Sequence, residues 1–163
     1  VSHPDPSARV FDFDALVAWR DEAASAGERV VLTNGCFDLL HRGHAEYLGR
    51  SAELGERLVV AVNSDASVRE LKGPQRPLNP EGDRAYVLAS LRCVDAVFIF
   101  RGPRLDAEIL RLRPDIYTKA GDYTPETLDP GERAALESVG AVIRILPFVE
   151  GRSTTSLIQR AAH

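Results

Sequence analysis

The chain has 163 residues, 44% hydrophobic and 27% charged, with a formal net charge of −4. This balance is ordinary for a soluble globular protein and is enough for one domain with its own core. It argues against a broad basic nucleic-acid surface, while leaving room for a local basic pocket. No apolar run is long enough to span a bilayer and the first residues lack a signal-peptide pattern. Cys36 and Cys93 form no CxxC pair and no disulfide framework, so the cytoplasm is the expected compartment.

In chain order, residues 1–9 read as a frayed terminus and 13–26 as an amphipathic helix closed by Gly27. A strand is expected over 29–34, a helix over 41–54 stopped by Gly55, and a second strand over 57–63. A short helix over 64–71 leads to the Lys72–Pro77 loop. Asn79 and Pro80 form an N-cap and N1 pair for a helix running to Leu91. Strand three spans 96–100, a helix 105–112, and strand four 116–119. Asp129-Pro-Gly-Glu132 has capping-box spacing, opening a helix to Val139 that stops at Gly140. Strand five covers 142–146, and a last helix should start near Ser153 to Thr155.

Short, nearly continuous apolar strands alternating with helices predict a doubly wound, Rossmann-like α/β fold. Its five-stranded parallel sheet would carry helices on both faces. No repeat or second domain is visible: 1–163 reads as one domain, with a tail and helix over 1–27 and the core over 28–160. Ligands bind beyond the carboxyl ends of such strands. Here those ends are Asn34-Gly35, Asn63-Ser64-Asp65 and Lys119-Ala-Gly-Asp122.

The most informative segment is Thr33-Asn-Gly-Cys-Phe-Asp-Leu-Leu-His-Arg-Gly-His44. A strand that feeds a glycine turn and then a helix start makes an anion site, because the first-turn N–H groups are unpaired and the dipole favours negative charge. His41 and His44 share one helix face, and Gly43 lets a ligand approach the backbone. Zinc needs three or four ligands, and no further His or Cys falls at a strand end, so no metal site is expected. Lys72, Arg76 and Arg84 surround the Gly/Pro loop, and Arg84 sits in a first turn where a cation opposes the dipole. Lys119 ends an apolar strand, where a buried lysine needs a partner. Gly151-Arg-Ser-Thr-Thr155 offers hydroxyls, N–H groups and a guanidinium for a second anion site. Cys36 has no base beside it in sequence and reads as an inert thiol.

These motifs identify a resemblance. Gly35-Cys-Phe-Asp-x-x-His41-x-Gly-His44 together with Gly151-x-Ser-Thr-Thr155 resembles the cytidylyltransferase-like nucleotidyltransferases. Asn63 to Pro74, Arg76-Pro-x-Asn79, Asp83-Arg84, Leu112 to Asp115 and Lys119-x-Gly-Asp-Tyr123 are similar to the heptose 1-phosphate adenylyltransferases, in a stand-alone form without a fused sugar kinase. Where those relatives usually carry Lys-Gly-Gly-Asp-Tyr, this chain has Ala120, and Tyr117-Thr118 makes its strand end more polar.

The resemblance implies transfer of AMP from ATP to D-glycero-β-D-manno-heptose 1-phosphate, releasing pyrophosphate, with Mg²⁺ carried by the substrate. His41, His44 and Lys119 would be catalytic. Asn34, Gly35, Cys36, Phe37, Gly43 and Lys72 would hold the nucleotide with the histidines, and Gly121, Asp122 and Tyr123 would flank the nucleoside. Gly151, Arg152, Ser153, Thr154 and Thr155 would hold the outer phosphates. Asp38, Lys72, Arg76, Arg84 and Lys119 would receive the acceptor. The alternative is another pair, such as CTP with glycerol 3-phosphate or a phosphonate acceptor; a nucleotide sensor without chemistry ranks third. The partners are small molecules, not nucleic acid or membrane, and a homodimer is the expected assembly.

Overall fold

The computed structural model describes residues 4–121, 123–147 and 157–159. Five parallel strands form one sheet in the order β3-β2-β1-β4-β5. They are β1 Val30–Gly35, β2 Arg57–Asn63, β3 Ala96–Phe100, β4 Ile116–Ala120 and β5 Val142–Leu146. The helices are α1 Phe13–Ser25, α2 Arg42–Ala52, α3 Asp65–Lys72, α4 Glu81–Ala89, α5 Asp106–Leu112 and α6 Pro130–Ser138. The predicted fold class is therefore the observed one.

Each strand reads as a near-continuous apolar run because both of its faces are covered. Val30, Leu32, Val59, Ala61, Phe98 and Tyr117 belong to one core cluster with Leu16, Ile109 and Leu136 from α1, α5 and α6. Val31, Leu58, Val60, Val62 and Val97 belong to the other, with Leu48 of α2 and Leu88 of α4. Alternate residues of one strand thus enter opposite cores. Carboxylates tie the amino ends of the strands together: Asp115 accepts from the Val30 N–H at 2.7 Å and Asp95 from the Leu58 N–H at 2.8 Å.

Sequence order runs outward from β1 in both directions, so β1 and β4 flank the switch point of the sheet. Loops leaving adjacent strands there go to opposite faces and open a crevice. The register puts Thr33 opposite both Val60 and Thr118.

Local chemistry sets the ends of the helices. Asp12, Ser64 and Asp129 accept from first-turn N–H groups. Gly140 closes α6 at φ 74°, with the Ala141 N–H reaching Leu136 O at 2.9 Å, a conformation that glycine adopts without a Cβ penalty.

Three local expectations need correction. Residues 6–9 are not frayed: they form a 3₁₀ turn, and the Arg9 guanidinium donates to Ala89 O and Val94 O. Pro80, not Asn79, occupies the N-cap of α4, because the Asn79 amide is drawn away to Asp38 O at 2.7 Å. The Asp129 capping box stays half-formed, because Glu132 turns inward to accept from the Leu105 N–H at 3.0 Å.

Candidate active site

The switch-point crevice opens at the end of β1. His41 takes the N-cap position of α2 with extended backbone (φ −143°, ψ 172°) and makes no side-chain capping bond. Of the first turn, the His44 N–H is taken by His41 O at 3.0 Å, which leaves the Arg42 and Gly43 N–H groups open to an anion among the described residues. The His41 and His44 rings stack with centroids 3.9 Å apart and planes 24° apart. Phe37 meets His44 edge-on at 5.4 Å. Among the described residues, His44 Nδ1 is buried without a hydrogen-bond partner. Burial, followed by the charges of His41 and Lys72, lowers the His44 pKa to about 4. At neutral pH this ring is uncharged and keeps one N–H for a ligand.

The loop from β1 to α2 is pinned from several sides. Phe37 adopts φ 46°, a left-handed conformation uncommon for a bulky residue. Its ring lies so close to Gly35 that a Cβ there would come within 2.9 Å. Cys36 Sγ points to Asn63 Oδ1 at 3.8 Å, and burial raises its thiol pKa against the pull of Lys72, Arg84 and Arg76. A thiol held protonated is a poor nucleophile.

Asp38 is buried and binds chain rather than solvent. It accepts from Arg76 Nε at 2.6 Å, from the Leu78 N–H at 2.9 Å and from the Asn79 N–H at 3.0 Å. Burial alone would raise its pKa, but the Asn79 and Leu78 N–H groups and Arg76 outweigh it and keep the carboxyl below its usual value. Asp38 and Arg76, both expected at the acceptor, are thus brought together as a partly buried ion pair that fastens the 76–79 loop to the loop after β1.

Arg84, also expected there, is enclosed instead. Its side chain is 0% exposed and donates to Asn79 O at 3.0 Å, Cys36 O at 2.5 Å, Asn63 O at 2.7 Å and Asp65 Oδ1 at 2.9 Å. The cation tolerates the first turn of α4 because these acceptors surround it.

Across the crevice, Asn34 Oδ1 accepts from the Tyr117 hydroxyl at 2.7 Å and from Lys119 Nζ at 3.2 Å. Lys119 Nζ also lies 5.3 Å from the Tyr123 ring centroid. Burial lowers the Lys119 pKa, opposed chiefly by the nearby charge of Glu132. Burial likewise raises that of Glu132, opposed by the Leu105 N–H and Lys119. Each group of this pair helps keep the other charged.

The polar strand end is satisfied internally. The Thr118 hydroxyl lies 3.0 Å from Ser51 Oγ and accepts from the Tyr47 hydroxyl at 3.2 Å, while Tyr47 lies 2.7 Å from Thr33 Oγ1. Ala120 is accommodated because it continues β4 opposite Leu146, whereas the positive φ of 103° falls on Gly121. Sequence reading named Asn63, Tyr117 and Glu132 without giving any of them a side-chain role at the site, and it missed this hydroxyl network, whose partners on α2 and β4 lie 67 or more residues apart.

The structure therefore gathers Asn34, Gly35, Cys36, Phe37, His41, Gly43 and His44 at one end of the sheet, with Lys119, Gly121 and Tyr123 at the end of the neighbouring strand. Lys72 closes α3 and acts electrostatically on both Cys36 and His44. Asp122 and the Gly151, Arg152, Ser153, Thr154, Thr155 run lie outside the described residues. Among the described residues, no group of three or more His, Cys, Asp or Glu side chains could hold a metal ion. No helix among them is long and apolar enough to cross a membrane.

A helix start at the switch point of a parallel sheet, beside a partly buried lysine at the end of the neighbouring strand, is the kind of crevice in which doubly wound α/β proteins bind their ligands. The chain belongs to the cytidylyltransferase-like family, whose pattern matches residues 32–160. It is 46% identical over 159 residues to the bifunctional protein HldE of Geotalea uraniireducens, covering 98% of this chain and 32% of that protein. It is 52% identical over 134 residues to the bifunctional protein HldE of Methylococcus capsulatus, covering 82% of this chain and 28% of that protein. The chain thus spans about a third of the length of these curated relatives. A lipopolysaccharide core biosynthesis protein from Thermoplasma volcanium superposes with a TM-score of 0.63 at 28% identity, covering 77% of this chain and 100% of the other.

Proposed function

We propose that this chain transfers AMP from ATP to a sugar 1-phosphate, D-glycero-β-D-manno-heptose 1-phosphate, releasing pyrophosphate and forming ADP-heptose. The observation that carries this reading is the stacked His41–His44 pair at the α2 start, with Lys119 at the end of the neighbouring strand bonded to Asn34 of β1. Kinship with the HldE proteins favours the sugar phosphate as acceptor.

In this reading an acceptor phosphate oxygen, already anionic at neutral pH, attacks the α-phosphorus of ATP in line. One P–O bond forms, the bond to the β-phosphate oxygen breaks, and no general base is required. The protein supplies alignment and charge neutralisation. The His41 and His44 side chains and the Arg42 and Gly43 N–H groups hold the phosphate chain. Lys72 approaches from the end of α3, and Lys119 draws in the acceptor phosphate. Gly121 to Tyr123 flank the nucleoside, and Arg152 to Thr155 hold the outer phosphates. Mg²⁺ would arrive on the nucleotide with its waters.

The test is a matrix of ATP, CTP, GTP and UTP against heptose 1-phosphate, other sugar phosphates and glycerol 3-phosphate, read by pyrophosphate release. Release with ATP and heptose 1-phosphate alone is expected. Release with CTP and glycerol 3-phosphate would replace this reading with the cytidylyl one, and no release with any pair would leave a binding protein.

A further inference from the structure

Arg84 is the most completely enclosed cation in the described structure, and its partners are unusual. Three of its four hydrogen bonds end on backbone carbonyls, from the loop after β1 (Cys36), the end of β2 (Asn63) and the loop before α4 (Asn79). The fourth ends on Asp65 at the start of α3. One planar group thus joins four segments that converge on the crevice.

The contact with Cys36 has a covalent consequence. In a trans peptide the carbonyl and the following N–H point in opposite directions. Holding Cys36 O inward on Arg84 therefore turns the Phe37 N–H outward, away from Arg84. Among the described residues that N–H has no acceptor. The φ of 46° at Phe37 belongs to the same orientation, because flipping the 36–37 peptide changes ψ of Cys36 and φ of Phe37 together. A bulky residue stays at positive φ only when its surroundings over-determine it. Here they do so twice: Arg84 holds the carbonyl, and the Phe37 ring is wedged between Gly35 and His44.

We infer that Arg84 is a positioning residue: it locks the Cys36–Phe37 peptide so that the Phe37 N–H is presented to a nucleotide phosphate beside the histidine pair. This rests on the nucleotidyl-transfer reading above. It replaces a substrate contact at Arg84 with an action through the backbone, in the manner of a preorganised oxyanion donor.

The experiment uses the whole chain. In ¹⁵N-labelled wild type, titration with a non-hydrolysable ATP analogue should shift the Phe37 amide strongly, together with the His44 ring. In Arg84→Gln the Phe37 shift should be lost while the His44 shift remains, and kcat should fall about 10²-fold. Arg84→Lys keeps the buried charge beside Asp65, and serves if the glutamine variant does not fold. A single ammonium cannot reach all the carbonyls, so its kcat should also fall more than tenfold. A purely structural arginine would lower the melting temperature but leave the kcat of the folded fraction and the Phe37 shift intact, and that result overturns the inference. A wild-type Phe37 amide that ignores a bound analogue, reported by His44, overturns it as well. Failure of both groups to respond to any nucleotide would instead sink the underlying reading.

Discussion

At the residue scale, the two histidines carry the most specific expectations. Among the described residues His44 Nδ1 is buried without a partner, so the ring holds polar capacity that the fold does not use. His41→Ala and His44→Ala should each lower kcat by about 10²-fold or more, while the melting temperature changes little. Pyrophosphate release and a thermal melt check both halves, and near-normal turnover in either variant would remove the histidines from the chemistry.

The same ring gives a pH signature. His44 is shifted from an ordinary 6.5 to about 4 in the folded chain. Between those values the unfolded chain binds more protons, so stability declines as the pH falls from about 6.5 toward 4. Asp38 acts with the same sign at lower pH. Its carboxyl is held below the ordinary 3.8, so its contribution is present above that value and lost as pH falls through the folded pKa. Urea unfolding at pH 7, 6 and 5 should show declining stability that flattens in His44→Ala. A bound triphosphate should reverse the trend, because its charge favours protonated imidazole.

At the scale of elements, the 76–79 loop depends on one carboxylate. Asp38 holds it through Arg76 and two backbone N–H groups, and its side chain is 1% exposed. Asp38→Ala leaves partly buried Arg76 and two backbone N–H groups without their acceptor and should cost about 1–3 kcal/mol. Proteolysis should then cut first near Arg76, and a loop as protected as in the wild type would contradict this pinning role. Helix α1 offers a comparison remote from the crevice. Leu16 is 0% exposed within the α1–α5–α6 core, so Leu16→Ala should cost about 2–5 kcal/mol. Its effect on kcat at a temperature where the chain stays folded should be small, as steady-state kinetics would show.

At the scale of the whole molecule, the crevice exists because strand order reverses beside β1. A ligand held there by both sides binds only the folded state. A nucleoside triphosphate at about 100 times its Kd should stabilise the chain by about 2.7 kcal/mol, measurable as a rise in melting temperature. That shift should vanish when His44 and Lys119 are both replaced, since they hold opposite walls.

Much of this was legible in sequence because the signals are local. Strand runs, the glycine stops at Gly27 and Gly140, and the paired histidines all act within a few residues of themselves. The half-formed box at Asp129 shows where that reading ends. Spacing allows Glu132 to cap its own helix, but the Leu105 N–H on a neighbouring element takes it. Asn79 leaves its helix for Asp38 for the same reason.

Sequence by itself determined the fold class, the histidine pair at a helix start and the lysine at a strand end, since helix and strand periods and glycine chemistry are short-range properties. Only the tertiary structure decided what each charge faces. Asp38, Arg76 and Arg84 read as three polar groups for an acceptor, yet two pin one another and the third braces the backbone. Their partners lie 38 and 48 residues away in the chain. A charge at a crevice is free or committed according to which acceptors the fold brings within hydrogen-bond reach.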